Sequence, residues 1–144
     1  MRSLEPVYKN KDLTLVHGTL DHPRDFNYMT DGSSACETFR ILKNSVCFVG
    51  HSHTPGVFIE DQNERIIYRE GETFTVHKDR RYIVNVGSVG QPRDGDPRAA
   101  YCIYDTKNRE IFIKRAGYDI KTAREKIIAN GLPSFLGDRL LVGR

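Results

Sequence analysis

The sequence lacks any long hydrophobic segment. No apolar run approaches the roughly 20 residues that a transmembrane helix needs, and no apolar segment of a secretory signal follows Met1. Cysteine is scarce as well. Cys36, Cys47 and Cys102 are odd in number and too widely spaced for a disulfide framework or a thiolate zinc site. We therefore expect a cytoplasmic protein with no membrane partner and with cysteines that are structural.

Charge of one sign is not concentrated anywhere in the chain. The 22 basic and 19 acidic residues give a net charge of +3, and the basic residues are scattered. The chain has no arginine-rich arm, no aromatic residues interleaved with a basic patch and no zinc-finger pattern, so we expect no nucleic-acid partner. An anionic small-molecule substrate is compatible with this charge.

Internal repeats, low-complexity tracts and linkers are also absent, so the 144 residues fit one domain (1–144) with a real core. Most of the sequence follows a β-strand pattern, with apolar runs bounded by turn residues. We predict five to seven strands. The segments that carry this pattern are residues 13–16, 46–49, and the hairpins 57–60 with 65–69, 73–77 with 81–86, and 100–104 with 110–114.

Helices are fewer. Ser34 and Glu37 have the spacing of a capping box, which predicts a helix between the first two strands. Asp119 is a plausible N-cap for a second helix that ends near Gly131, and a short helical segment is predicted within residues 135–142. The fold class is therefore mixed α/β, with mostly strands and two or three helices.

Three histidines stand directly after predicted strands. His17 follows the first strand and precedes Gly18, whereas His51 and His53 follow the second strand and Gly50. If the two strands are parallel and the helix between them is their crossover, all three imidazoles converge at the carboxyl edge of the sheet. Neutral imidazole is a common metal ligand, so this edge is a candidate metal site. The alternative interpretation, for His-x-His taken alone, is a pair of ordinary surface histidines.

These motifs resemble those of a known family. A strand followed by His17-Gly18, then a strand followed by Gly50-His51-Ser52-His53-Thr54-Pro55, resembles the last two signature blocks of the calcineurin-like metallophosphoesterases. The segment Asn-Val-Gly-Ser-Val-Gly-Gln-Pro-Arg at 85–93 is similar to a loop of the small bacterial and archaeal branch, with Val86 at the usual proline. The resemblance extends from about Leu13 to Tyr104. Asn85 in this loop is expected to shape the backbone.

The resemblance implies a two-sheet α/β/β/α sandwich and a metal-dependent phosphoesterase that hydrolyses phosphomonoesters or phosphodiesters at a dinuclear site. By analogy His17 and His51 bind one metal and His53 binds the other. The cofactors are then divalent ions (manganese, iron, zinc or, less well, magnesium), and the substrate is a phosphorylated small molecule. No catalytic side chain is assigned.

Two further residues are candidates for substrate binding. Arg93 carries a planar guanidinium that fits phosphoryl oxygens. Because Arg93 and Arg98 flank Asp94 and Asp96, local pairing of these charges is the favoured alternative. His22 lies in the loop after His17-Gly18, where a solvated side chain is the alternative to a substrate contact.

The sequence also departs from the family. Its earlier blocks, Asp-x-His, Gly-Asp and Gly-Asn-His, have no counterpart upstream of His17, so the carboxylate that bridges the two metals is missing. We therefore expect residues 1–144 to form the C-terminal portion of such a domain, to hold one metal or none alone, and to need a homo-oligomer or a partner that supplies the rest. The alternative is a catalytically inactive module of this fold that binds proteins.

Overall fold

The computed structural model describes residues 4–144, which contain nine strands and three helices. The strands are β1 (Val7–Lys9), β2 (Thr14–Val16), β3 (Val46–Val49), β4 (Gly56–Glu60), β5 (Ile66–Arg69), β6 (Thr73–Thr75), β7 (Arg81–Asn85), β8 (Ala99–Asp105) and β9 (Glu110–Ala116). The helices are α1 (Gly32–Ile41), α2 (Ile120–Ala129) and α3 (Ser134–Asp138), followed by a 3-10 turn, Arg139–Leu141. The mixed α/β class is confirmed. In residues 4–144 no helix is long and apolar enough to cross a membrane.

The strands form two sheets. A six-stranded sheet has the order β1-β2-β3-β7-β4-β5, and a three-stranded sheet has the order β6-β9-β8. Strands β2, β3 and β7 are parallel, and α1 is the crossover between β2 and β3, as the sequence predicts. The register pairs Thr14 with Cys47 and Leu15 with Phe48. Because parallel strands end at the same edge of a sheet, the residues that follow β2 and β3 become neighbours.

The central strands β3, β4 and β7 of the six-stranded sheet are buried on both faces. One face packs against α1 and the other against the three-stranded sheet, so side chains alternate between two apolar clusters along each central strand. On β3, Cys47 and Val49 belong to the helix side, whereas Val46 and Phe48 belong to the side of the second sheet. Burial raises the pKa of the Cys47 thiol to about 12, in agreement with a structural role.

The predicted hairpin of residues 73–77 with 81–86 is wrong. Strand β6 pairs with β9 in the small sheet, whereas β7 lies between β3 and β4 in the large one. The physical reason is that β7 is buried on both faces, which suits a central strand rather than one arm of a hairpin. The buried Tyr82 hydroxyl anchors the segment between β6 and β7, where the chain passes from one sheet to the other. It accepts from the His77 N–H (3.1 Å) and donates to the Thr75 carbonyl (3.2 Å).

Two smaller predictions also need correction. Residues 4–144 have more than the five to seven strands expected, in part because β1 is too short to show an alternating pattern. The N-cap of α1 is Asp31, which accepts from the Ser34 N–H, and Ser34 is the N3 partner of this capping box rather than its start. Asp119 is confirmed as the N-cap of α2, where it accepts from the Thr122 N–H.

We expect Tyr82→Phe to lower the free energy of unfolding by about 1–3 kcal/mol, because it removes both hydrogen bonds and leaves a partly buried N–H without a partner. Urea denaturation followed by circular dichroism measures this loss. Tyr8→Phe is the matched control, since the Tyr8 side chain is exposed on the edge strand β1. Equal stability of the two variants would contradict the anchoring role.

Candidate functional site

Two of the three predicted histidines are in direct contact. His17 directly follows β2, and His51 follows β3 after Gly50. The Gly50 N–H donates to the His17 carbonyl (3.0 Å), which ties the two strand ends together. The His51 Nδ1 atom lies 3.1 Å from the His17 Nε2 atom. The expected convergence at the carboxyl edge of the sheet is therefore observed for this pair.

A buried asparagine holds the loop that carries the histidines. The Asn85 amide donates to the Gly50 carbonyl (2.9 Å) and to the Ser52 hydroxyl (2.7 Å), and its carbonyl accepts from the Gly87 N–H (3.0 Å). Both His51 and His53 have left-handed backbone conformations, with φ of 60° and 62°. Such angles are unfavourable for residues with a Cβ, and the hydrogen bonds of Asn85 offset their cost. The expected backbone role of Asn85 is confirmed.

His53 contacts a different part of the chain. Its Nδ1 atom lies 2.7 Å from the Gln91 carbonyl, and its own carbonyl accepts from the Arg93 N–H (3.2 Å). Because a carbonyl only accepts, Nδ1 carries the proton and Nε2 keeps a lone pair. Across residues 4–144, no group of three or more His, Cys, Asp or Glu side chains is close enough to hold a metal ion.

The environment favours the neutral forms of His51 and His53. Partial burial lowers the pKa of His51, and the neighbouring charges of His17, His53 and Arg93 lower it further. Burial also lowers the pKa of His53, with Arg93 and His17 acting in the same direction, whereas the hydrogen bond to Gln91 opposes the shift. Neutral imidazole is the form that binds metals.

Arg93 lies beside this site. Its Nη1 atom is 3.5 Å from the Tyr28 hydroxyl, and its buried Nε has no hydrogen-bond partner within residues 4–144. Local pairing does not account for Arg93, because Asp94 pairs with Arg115 and Asp96 pairs with Arg98. The local pairing that the sequence predicts is therefore confirmed for Arg98 with Asp96 and wrong for Arg93.

His22 does not contact the histidine pair within residues 4–144. Its side chain is 70% exposed, and its Nδ1 atom is 4.0 Å from the Asp25 carboxylate. This favours the solvated-loop interpretation over a substrate contact.

Aromatic residues that the sequence analysis did not single out surround the pair. The Tyr28 ring centroid lies 4.2 Å from that of His51, and the Phe26 centroid lies 5.6 Å from that of His17. The sequence does show two aromatic residues in a mainly polar loop. Their packing on the histidines depends on how this loop folds against the end of the sheet.

The distance within the pair is that of a hydrogen bond between the two imidazoles, and it is also short enough for both nitrogens to bind one divalent ion. Two nitrogens that each bind one ion at about 2.1 Å stand roughly 3 to 3.4 Å apart, and the observed separation is 3.1 Å. The pair alone supplies two ligands, so a complete shell needs further donors.

Comparison with known proteins agrees with these features. The sequence model of the calcineurin-like phosphoesterase superfamily domain matches residues 2–109. The Methanocaldococcus jannaschii protein MJ0912 is 40% identical over 141 residues, which are 98% of this chain and 56% of that protein.

Solved structures give the same result. A metallophosphoesterase from Sphaerobacter thermophilus is similar with a TM-score of 0.90 and 35% identity, over 99% of this chain and 60% of that one. Protein PH1004 from Pyrococcus horikoshii shares the fold, with a TM-score of 0.70, 18% identity, and coverage of 99% of this chain and 52% of that one.

The chain thus spans a little more than half the length of each of these relatives. Proteins of this family use divalent metals and act on phosphoric esters. On the evidence of sequence, fold and histidine placement, the chain belongs to the calcineurin-like phosphoesterase superfamily.

Proposed function

We propose that this chain supplies the histidine part of a metal-dependent site that hydrolyses phosphomonoesters or phosphodiesters of small molecules. The observation that carries the proposal is the 3.1 Å separation of His17 Nε2 and His51 Nδ1 at the carboxyl edge of two parallel strands. Open α/β sheets place their ligand sites at this edge.

In this proposal His17 and His51 hold one divalent ion, and His53 is a ligand for a second. Manganese, iron, zinc and magnesium are the candidate ions. Such an ion lowers the pKa of bound water and neutralises charge on phosphoryl oxygens. The lowered pKa values of His51 and His53 favour their neutral, metal-binding forms. The bond from His53 Nδ1 to the Gln91 carbonyl orients that ring with Nε2 available. Arg93 is the residue proposed to contact the phosphate.

The site proposed for this chain is a partial one. The family motifs that contribute carboxylates are absent from the sequence, and two nearby dications repel each other strongly without a negative ligand between them. We propose that residues 1–144 correspond to the C-terminal portion of the domain and that the chain alone holds at most one ion tightly.

An apolar groove beside the site supports a role for a partner. It has a volume of about 580 Å³, lies between the two sheets next to His17 and Gly50, and is lined mainly by Leu15, Phe48, Val86, Val89, Tyr101 and Tyr104. Strand β8 borders it and is an edge strand whose outer side has no partner in residues 4–144. Exposed apolar surface and open strand edges favour association. We propose that this groove is covered either by a second copy of the chain or by a chain with the missing motifs, and that only the latter supplies the missing carboxylates.

The second candidate function is an inactive binding module with this fold. The same groove favours it, together with the absence of a three-ligand group across residues 4–144. Retention of two contacting imidazoles favours the metal-dependent alternative, and metal binding separates the two.

We expect the purified chain to bind one Zn²⁺ or Mn²⁺ per monomer, and His17→Ala or His51→Ala to weaken this binding by at least about tenfold. Isothermal titration with elemental analysis measures both quantities. His77→Ala is the control, because that residue lies between β6 and β7, outside the site. Two tightly held ions per monomer, or equal affinity in all variants, would contradict the proposal.

Metal binding should persist to lower pH than an ordinary histidine allows. Because the pKa of His51 is lowered, this ligand of the expected ion keeps its lone pair to a lower pH than an ordinary histidine, whose pKa is about 6.5. Zinc affinity should be constant above that value and fall only at more acidic pH, as protons displace the metal. A titration of affinity between about pH 5 and 8 tests this. A midpoint above the ordinary histidine value would be evidence against neutral, prepared ligands.

Catalysis should require the missing carboxylates. We expect no hydrolysis of p-nitrophenyl phosphate or bis(p-nitrophenyl) phosphate by the chain alone with Mn²⁺. We expect activity when it is fused to the part of MJ0912 that it does not cover. Within the fusion, His51→Ala should lower kcat by more than about 100-fold, since it removes a direct ligand. A folded, metal-loaded fusion without activity would favour the binding module.

A further inference from the structure

Two exposed aromatic side chains, Phe26 and Tyr28, each lie against the histidine pair, and we call these two residues the aromatic ledge. Each side chain is 51% exposed, although aromatic rings gain free energy by burial. The Tyr28 ring lies against the His51 imidazole at an interplanar angle of 32°, so one side of it is covered. About half of its surface therefore remains accessible for a second planar group.

The ledge is held in position by the backbone. A Cβ at Gly18 would lie 2.8 Å from the Asn27 carbonyl, so the chain segment between the two aromatic residues packs directly on the strand exit that carries His17. Phe26 has a left-handed backbone conformation, with φ of 52°, which is rare for a bulky residue and requires support from its surroundings. This close packing fixes the rings beside the site.

A cation lies at the edge of the ledge. The guanidinium of Arg93 reaches the Tyr28 hydroxyl at 3.5 Å, and its buried Nε lacks a partner within residues 4–144. A planar group that stacks on Tyr28 would thus have a phosphate-binding group within a short distance. A phosphoric ester with a small aliphatic group would contact Arg93 but would leave the ring surface uncovered.

We propose that the aromatic ledge selects phosphoric esters that carry a planar ring, a nucleobase or an aryl group, with the ring stacked on Tyr28 and Phe26 and the phosphate at Arg93. This inference rests on the proposed function, because it names the substrate class of the same site. Phe26 and Tyr28 are specificity-determining residues that bind the non-reacting part of the substrate. Stacking of a base on an aromatic side chain changes affinity by about 5- to 150-fold.

Binding to the intact chain tests the proposal without a need for turnover. Dissociation constants for AMP, phenyl phosphate and ribose 5-phosphate, measured by titration calorimetry or ligand-observed NMR, should favour AMP over ribose 5-phosphate by at least about fivefold. Phenyl phosphate bound as tightly as AMP identifies any aryl ester as sufficient, whereas weaker binding identifies the nucleobase. Either result supports the ledge.

Variants separate the ring contact from the phosphate contact. Tyr28→Leu, and independently Phe26→Leu, should reduce the ratio of AMP affinity to ribose 5-phosphate affinity. Arg93→Gln should weaken both phosphates equally. Tyr8→Leu, which changes a similarly exposed tyrosine on β1, is the control.

Equal affinity for AMP and ribose 5-phosphate in the wild-type chain, or no detectable binding of either, would overturn the ledge. A preference that survives both Tyr28→Leu and Phe26→Leu would do the same. Zinc binding by His17 and His51 is measured separately. If the wild-type chain does not bind zinc but still prefers AMP, the proposed metal-dependent function is wrong, whereas the ring contact is supported.

Discussion

The parallel pairing of β2 with β3 determines where the histidine pair of this protein is located. In this register Leu15 lies opposite Phe48, so β2 and β3 end side by side. His17 therefore contacts the segment that begins at Gly50. A slip of one residue would turn alternate side chains to the opposite face and would separate the two imidazoles. In β3 such a slip would exchange Cys47 and Val49, which pack on the helix side, with Val46 and Phe48, which pack against the second sheet.

The loop after β3 shows how a stable scaffold supports an unfavourable local conformation. Two histidines with left-handed backbone conformations, one residue apart, would not persist in an isolated peptide. They persist here because the buried side chain of Asn85, at the end of the adjacent parallel strand β7, hydrogen-bonds the loop backbone. The ends of the three parallel strands β2, β3 and β7 therefore hold the loop after β3, and this loop fixes the positions of the imidazoles.

Much of this arrangement is accessible from sequence because it depends on local signals and one topological rule. The strands before His17 and His51 are short apolar runs, and the helix between them makes their parallel pairing the favoured connection. The pairing of β6 with β9 was not accessible, since a chain that crosses between sheets leaves no local mark. Two contacts of the site were not accessible either. The packing of Tyr28 on His51 depends on how a long loop folds, and the contact of His53 with the Gln91 carbonyl has no local sequence signal.

The thiol of Cys47 has a use that follows from its place in the middle of β3. It is fully covered in the native protein and holds its proton under ordinary conditions. An alkylating reagent can modify it only while the strand is transiently separated from α1. The rate of labelling at this position therefore reports how often the element that carries His51 opens, and ligand-induced slowing of that rate would reveal occupancy of the adjoining edge without any spectroscopic tag.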